Sequence, residues 1–327
     1  MGGAQVLSVA ALSTGRDVQH AGRMVLSVAV GLVALGLVMV YSTSSVMGAV
    51  AGEEHSEVLV RQLRWVVLGA LVAWISSRVS LELLRRLALP VLGLAILLLG
   101  LTLVLAEPIK GSRRWLYVAG VSIQASEILK IGTLLFLADR LAAREEAQTF
   151  GARSSLLPVL APVGLATVLV LVEPDLGTSL FIVAEAVILL GLAGIRPTRV
   201  VPFAITVIPL IVFFAYTRVP HVRSRFAMYA GGPGEGSQVH EALIAIGSGG
   251  VFGKGLGQGA QKLGYFSEAQ NDFIFAVIGQ EFGYIGALFV IGLFLLLAAR
   301  GMRVAMNAPD TFGALVALGI TAWLTFQ

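Results

Sequence analysis

An all-α, polytopic membrane fold is predicted for this chain by three observations. Of its 327 residues 57% are hydrophobic and only 13% are charged, and the mean hydropathy is +0.89. A soluble domain carries about 25% charged residues, so these side chains cannot furnish a water-facing surface of normal extent. Apolar runs of roughly 20 residues recur along the chain, the length an α-helix needs to cross a hydrocarbon core of about 30 Å.

The same composition excludes several functions. There are no cysteines, so disulfides, thiolate metal sites and cysteine nucleophiles are ruled out. His20, His55, His221 and His240 have no helical metal spacing. The net charge of +4 reflects arginines flanking the apolar runs. So little aqueous surface leaves no room for a nucleic-acid interface.

The elements follow in order. A polar tail, residues 1–23, carries Arg16, Asp17 and Arg23. The first apolar run, 24–46, is too long for a signal-peptide core and ends without a small-residue cleavage site, so it reads as a retained span. Further runs at 63–77, 87–106, 123–139, 155–172, 177–194, 200–216, 273–298 and 311–327 predict nine spans in a transmembrane domain of 24–327. A long extracytoplasmic loop is predicted at about 217–271, and the chain is expected to stop inside its ninth span, at TAWLTFQ. Cytoplasmic loops are enriched in Lys and Arg. With the N-terminus inside, 12 of the 23 basic residues fall on cytoplasmic segments; five (Arg61, Arg64, Lys110, Arg113, Arg114) fall on short outer loops. The N-terminus is therefore expected in the cytoplasm.

Three outward features invite chemistry. In KGSRRWLYVAGVSIQASEILK, residues 110–130, adjacent guanidiniums beside Trp115 suit a diphosphate at a membrane surface: forked donors for phosphate, and an amphipathic ring at headgroup level. A plain anionic-lipid contact is an equal reading. Glu127 and Lys130 lie three apart on one face just inside the fourth span. Ionisable groups there are costly and usually face a bundle interior or a wet cavity, which favours site lining over a purely structural pair. In EPDLGTSL, residues 173–180, Asp175 and Thr178 suit a helix cap, and capping alone explains Asp175.

The third feature is the glycine-rich stretch together with the apolar helix after it. GSGGVFGKGLGQG fails as a phosphate loop: Ser248 stands at the first glycine position and Gly255 follows Lys254, where G-x-x-x-x-G-K-[ST] is required. Its glycines do permit close backbone approach or a re-entrant path at membrane depth. Asp272 then opens an apolar helix, where a carboxylate suits the first-turn N–H groups. Glu281, nine residues on, is turned about 180° away and lies about 13 Å deeper. Glu281, Gln280 and Glu185 therefore read as interhelical hydrogen-bonding groups. The residues alone leave an outward set of Arg113, Arg114, Trp115, Glu127, Lys130, Asp175 and Asp272.

These stretches resemble the SEDS family (shape, elongation, division and sporulation) of bacterial peptidoglycan glycosyltransferases. KGSRRW is similar to the family's G-[AS]-x-R-W loop, and QASEILK to Q-P-S-E-x-x-K with Ala125 in place of proline. EPDLGTSL matches Q-P-D-L-G-T-[AS]-L apart from Glu173. GLGQGAQKLGYFSEAQNDFIFAVIGQEFGYIG resembles the family's longest motif, and its QKL-x-Y is closer to the cell-division and sporulation members than to the elongation member. Phe266, Ser267, Gln270 and Asn271 depart from that motif.

The resemblance implies a ten-helix bundle, of which about nine spans are present, in the bacterial cytoplasmic membrane. It implies polymerisation of lipid II, with an undecaprenyl-diphosphate-linked glycan as donor, a class B penicillin-binding protein as transpeptidase partner, and other divisome proteins. It places the essential carboxylate on Asp272, the loop tryptophan on Trp115 and the family's lysine on Lys130; with Arg113, Arg114, Glu127, Asp175 and Glu268 these make up the expected substrate-binding set. A divalent cation, Mg²⁺ or Mn²⁺, could shield the diphosphate, though no ligand set is legible. A lipid II flippase and a non-catalytic divisome scaffold are the competing readings.

Overall fold

The computed structural model describes residues 15–51, 56–107, 114–118, 121–147, 156–232, 234, 237–258 and 272–326. In chain order these form helices α1 (Gly15–Ala51), α2 (Ser56–Ser76) and α3 (Leu81–Leu105), then a hairpin of β1 (Trp115–Val118) and β2 (Val121–Gln124). Next come α4 (Ala125–Glu146), α5 (Leu157–Val172), α6 (Leu176–Leu192) and α7 (Pro197–Arg218). The chain continues through α8 (Pro220–Gly231), α9 (Gln238–Gly249), α10 (Ile274–Met306) and α11 (Thr311–Phe326). Among the described residues, α1, α2, α3, α7 and α10 contain segments long and apolar enough to cross a membrane; α5, α6 and α11 are shorter apolar helices. The fourth predicted span, 123–139, falls largely within α4, which carries Glu127 and Lys130 in its first turns and further charged residues from Asp139 onward.

Two sequence expectations change. The segment after Arg114 is not irregular throughout: β1 and β2 pair antiparallel, with Trp115 opposite Gln124 and Val118 opposite Val121. Alternation along a strand places Trp115 and Tyr117 on one face, and both rings are exposed. The predicted loop at about 217–271 is largely helical where it is described, as α8 and α9.

The described chain divides into two compact units. The first comprises Met1–Ala21, Val79–Ser224 and Gly301–Gln327. Its core joins Leu92 and Leu99 of α3, Leu129 and Leu137 of α4, Ile182 and Leu189 of α6, and Phe312 and Leu315 of α11. Lipid tails are as apolar as leucine, so helices in a membrane associate through close packing rather than hydrophobic drive. Gly132 of α4 shows this: a Cβ there would stand 3.0 Å from the Leu92 Cα. A fork of hydrogen bonds ties α3 to α4, with Arg85 Nε donating to Asp139 Oδ1 (3.0 Å) and its two Nη atoms to the Glu146 carboxylate (2.8 and 3.0 Å).

The second unit comprises Gly22–Arg78 and Arg225–Arg300. Its core gathers Met39 of α1, Ala242 and Ala245 of α9, and Ala276, Val277, Ile278 and Val290 of α10. α10 is broken at Gly283, whose φ of 68° and ψ of −165° interrupt the helix. The break strands two carbonyls and two N–H groups that a continuous helix would pair with each other. The glycine-rich stretch takes all four. Lys254 and Gly255 N–H groups donate to the carbonyls of Gln280 and Glu281 (both 3.0 Å), while Tyr284 and Ile285 donate to Gly250 and Val251 (2.9 and 3.3 Å). Backbone polar groups at membrane depth must be satisfied within the protein. The approach is so close that a Cβ on Gly253, itself at φ 81°, would run into the Glu281 carbonyl.

Candidate functional site

In the first unit, Lys130 is the most deeply buried charged residue of the predicted set. It lies in the first turns of α4 with 3% of its side chain exposed, and its Nζ stands 2.8 Å from Glu127 Oε1, whose side chain is 42% exposed. The ammonium also faces two rings, 5.0 Å from the centroid of Trp323 and 5.4 Å from that of Phe181, within cation–π range. One helical turn further on, Thr133 Oγ1 donates to Glu185 Oε2 of α6 (3.2 Å). Glu185 is thus the interhelical group its sequence context suggests.

Arg114 meets the turn between α5 and α6. Its Nε donates to the Glu173 carbonyl (3.2 Å) and an Nη donates to the Pro174 carbonyl. The next residue, Asp175, is the α6 N-cap: it accepts from Thr178 N–H (3.1 Å) and Thr178 Oγ1 (2.9 Å). The carboxylate of Asp175 is therefore engaged locally, as capping alone would have it.

Glu173 is the unexpected member of this turn. It is 1% exposed, and neither carboxyl oxygen has a hydrogen-bond partner among the described residues. Burial, reinforced by the charge of Asp175 and opposed by Arg114, raises its pKa from the ordinary 4.5 to about 8. At neutral pH the side chain is predominantly an uncharged acid, close in shape and hydrogen-bonding capacity to the glutamine that the resemblance would put there.

In the second unit, Asp272 is exposed in the turn ahead of α10. Here the helix-cap expectation fails. The first turn of α10 closes on Phe273, whose carbonyl accepts from Ala276 and Val277. Asp272 sits one residue outside the cap, and among the described residues its carboxylate has no partner. A cavity of about 400 Å³ lies between α1 and α2 and reaches Ile274, two residues on from Asp272. Arg61, Gln62 and Trp65 line it. The sequence reading used Arg61 only to set orientation and expected it on an outer loop; it lies instead in the first turns of α2, and positive charge at the edge of an apolar run was the available signal.

Arg113 and Glu268 lie outside the described residues, as do the departures from Phe266 to Asn271. Among the described residues no group of three or more His, Asp or Glu side chains could hold a metal ion.

A sequence model of the FtsW, RodA and SpoVE family, described as cell cycle protein, matches residues 22–327. A probable peptidoglycan glycosyltransferase FtsW of Trichlorobacter lovleyi is 36% identical over 310 residues, 93% of this chain and 81% of its own length. Stage V sporulation protein E of Bacillus subtilis is 32% identical over 302 residues, 90% of this chain and 82% of its own. Among solved structures, the rod shape determining protein RodA of Thermus thermophilus superposes with a TM-score of 0.66 at 26% identity, covering 92% of this chain and 81% of its own. A chain from a peptidoglycan synthase complex that coordinates polymerization and crosslinking superposes with a TM-score of 0.71 at 26% identity, covering 94% and 84%.

Proposed function

The chain belongs to the FtsW, RodA and SpoVE family of cell cycle proteins, and on that premise we propose that it is a peptidoglycan glycosyltransferase acting on lipid II. It is a multi-pass membrane protein, and the glycosyltransferase names of its relatives support this reading. We assign it to the outer face of the bacterial cytoplasmic membrane at the division septum, with its N-terminus in the cytoplasm. Its partner is a class B penicillin-binding protein among other divisome components.

The observation that carries the chemistry is the contrast between two kinds of carboxylate. Asp175 caps its own helix and the buried Glu281 accepts two hydrogen bonds through Oε1, whereas Asp272 is exposed and has no partner among the described residues. In the proposed reaction, Asp272 accepts the proton of the acceptor sugar's 4-hydroxyl as that oxygen attacks the anomeric carbon of the donor. The anomeric C–O bond to the diphosphate breaks and undecaprenyl diphosphate departs. Arg113 and Arg114 supply forked donors for the leaving diphosphate, and Lys130, oriented by Glu127, supplies a further cation. Trp115, beside Tyr117 on the hairpin face, anchors the site at headgroup level. Asp175 shapes the turn that Arg114 grips, and Glu268 binds substrate. Arg61 gives the cavity beside Ile274 its own cation for a lipid headgroup.

Purified protein with its partner transpeptidase, given lipid II in detergent and separately in liposomes, tests the reading. Glycan polymer is expected. Transbilayer movement of lipid II without polymer would replace the enzyme with a flippase.

A further inference from the structure

We propose that Glu281 is a positioning residue for Asp272: its carboxylate braces the glycine-rich stretch and α1 against the first segment of α10, the helix that Asp272 introduces. The inference rests on the reading of Asp272 as the base. Glu281 is 1% exposed and lies at the break in α10. Its Oε1 accepts two hydrogen bonds from distant parts of the chain, Ser42 Oγ–H of α1 at 2.7 Å and Gly257 N–H at 3.1 Å.

The geometry explains why one side chain has such reach. The break at Gly283 leaves 274–282 as a half-helix without two of the backbone hydrogen bonds that would fix it to the rest of α10. Its orientation then depends on what holds its C-terminal end. There, Gln280 Nε2 donates to Ser248 Oγ of α9 (3.2 Å), and the Gln280 and Glu281 carbonyls accept from the glycine-rich stretch. Glu281 is the member of this group that joins three elements at one atom. An acceptor oxygen shared by two donors fixes both to one point, and a small misplacement of a catalytic group is costly in rate. Glu281 thus acts through Asp272 rather than on substrate, consistent with its depth below the start of the helix.

Three variants of the full chain, assayed with the partner transpeptidase and lipid II, test this: Glu281→Ala, Glu281→Gln and Ser42→Ala. Glu281→Ala should lower kcat by roughly ten- to a hundredfold with little change in KM. Glu281→Gln keeps an oxygen that accepts from both donors and should restore most of the rate. Ser42→Ala, which keeps Glu281 and the Gly257 bond, should fall between. Hydrogen exchange at the Gly255 and Gly257 amides should accelerate in Glu281→Ala and return towards wild type in Glu281→Gln. Where Glu281→Ala does not fold, Ser42→Ala and Glu281→Gln carry the same comparison. Wild-type turnover in both Glu281→Ala and Ser42→Ala overturns the proposal, as does a Glu281→Gln enzyme without activity, since the carboxylate would then act by its charge. Should Asp272→Asn prove fully active, the base reading fails. The brace then stands or falls on amide exchange alone.

Discussion

Lys130 Nζ lies 2.8 Å from Glu127 Oε1, yet only the lysine is buried, at 3% against 42% side-chain exposure. The asymmetry decides what each substitution does. Glu127→Gln takes a close counter-charge away from a buried ammonium, whereas Lys130→Met removes that ammonium and leaves a carboxylate that water can reach. Poorly compensated buried charge is the costlier outcome. Glu127→Gln should therefore lower the melting temperature more than Lys130→Met does. Lys130→Met should lower lipid II polymerisation by at least about tenfold, since the proposed site loses a cation. Thermal melts and polymer yields of both variants in detergent check this.

Glu173 gives the turn between α5 and α6 a pH signature. Its folded pKa, about 8, stands above the ordinary 4.5, so between those values the folded state binds the extra proton. The stabilising effect is fully present below the ordinary value and is lost as pH rises through the folded value. Glu173→Gln removes the titration. The variant should gain in melting temperature relative to wild type as pH rises across that window, and a constant difference between the two melts would contradict the assignment.

Arg114 grips two successive carbonyls with one planar guanidinium. A lysine cannot reproduce that fork. Arg114→Lys should reduce polymerisation severalfold while changing the melting temperature by only a few degrees, because the contacts lie at a partly exposed turn.

The glycine-rich stretch tolerates no side chain at Gly253. Alanine there combines an unfavourable positive φ with a clash against the Glu281 carbonyl. Gly253→Ala should cost at least about 2 kcal/mol, read as loss of monodisperse protein on size exclusion. Alanine at Gly36, where a Cβ meets nothing within 4 Å, is the matched control.

The membrane-crossing helices were legible in the sequence because apolar run length reports directly on membrane crossing. Glu127 with Lys130, and Asp175 with Thr178, are neighbours three residues apart, so helical spacing alone brought them together. The features that stayed hidden depend on distant chain segments. Nothing in SGGVFGKG states that its N–H groups pair with the carbonyls of Gln280 and Glu281, because backbone pairing leaves no side-chain pattern. The rings of Phe181 and Trp323 over Lys130 come from α6 and α11 and could not be read from α4. The expected cap at Asp272 failed for a local reason: the helix begins one residue later than the apolar pattern suggests, so Phe273 occupies the capping position.

The central claim is that Asp272 is the base in glycan polymerisation. The most direct measurement compares wild type with Asp272→Asn, full-length and paired with the transpeptidase, on purified lipid II. Because removing a general base costs about a hundredfold or more, wild type should yield long glycan strands. Asp272→Asn should yield none above background while melting like wild type. Equal polymer from the two proteins would contradict the account.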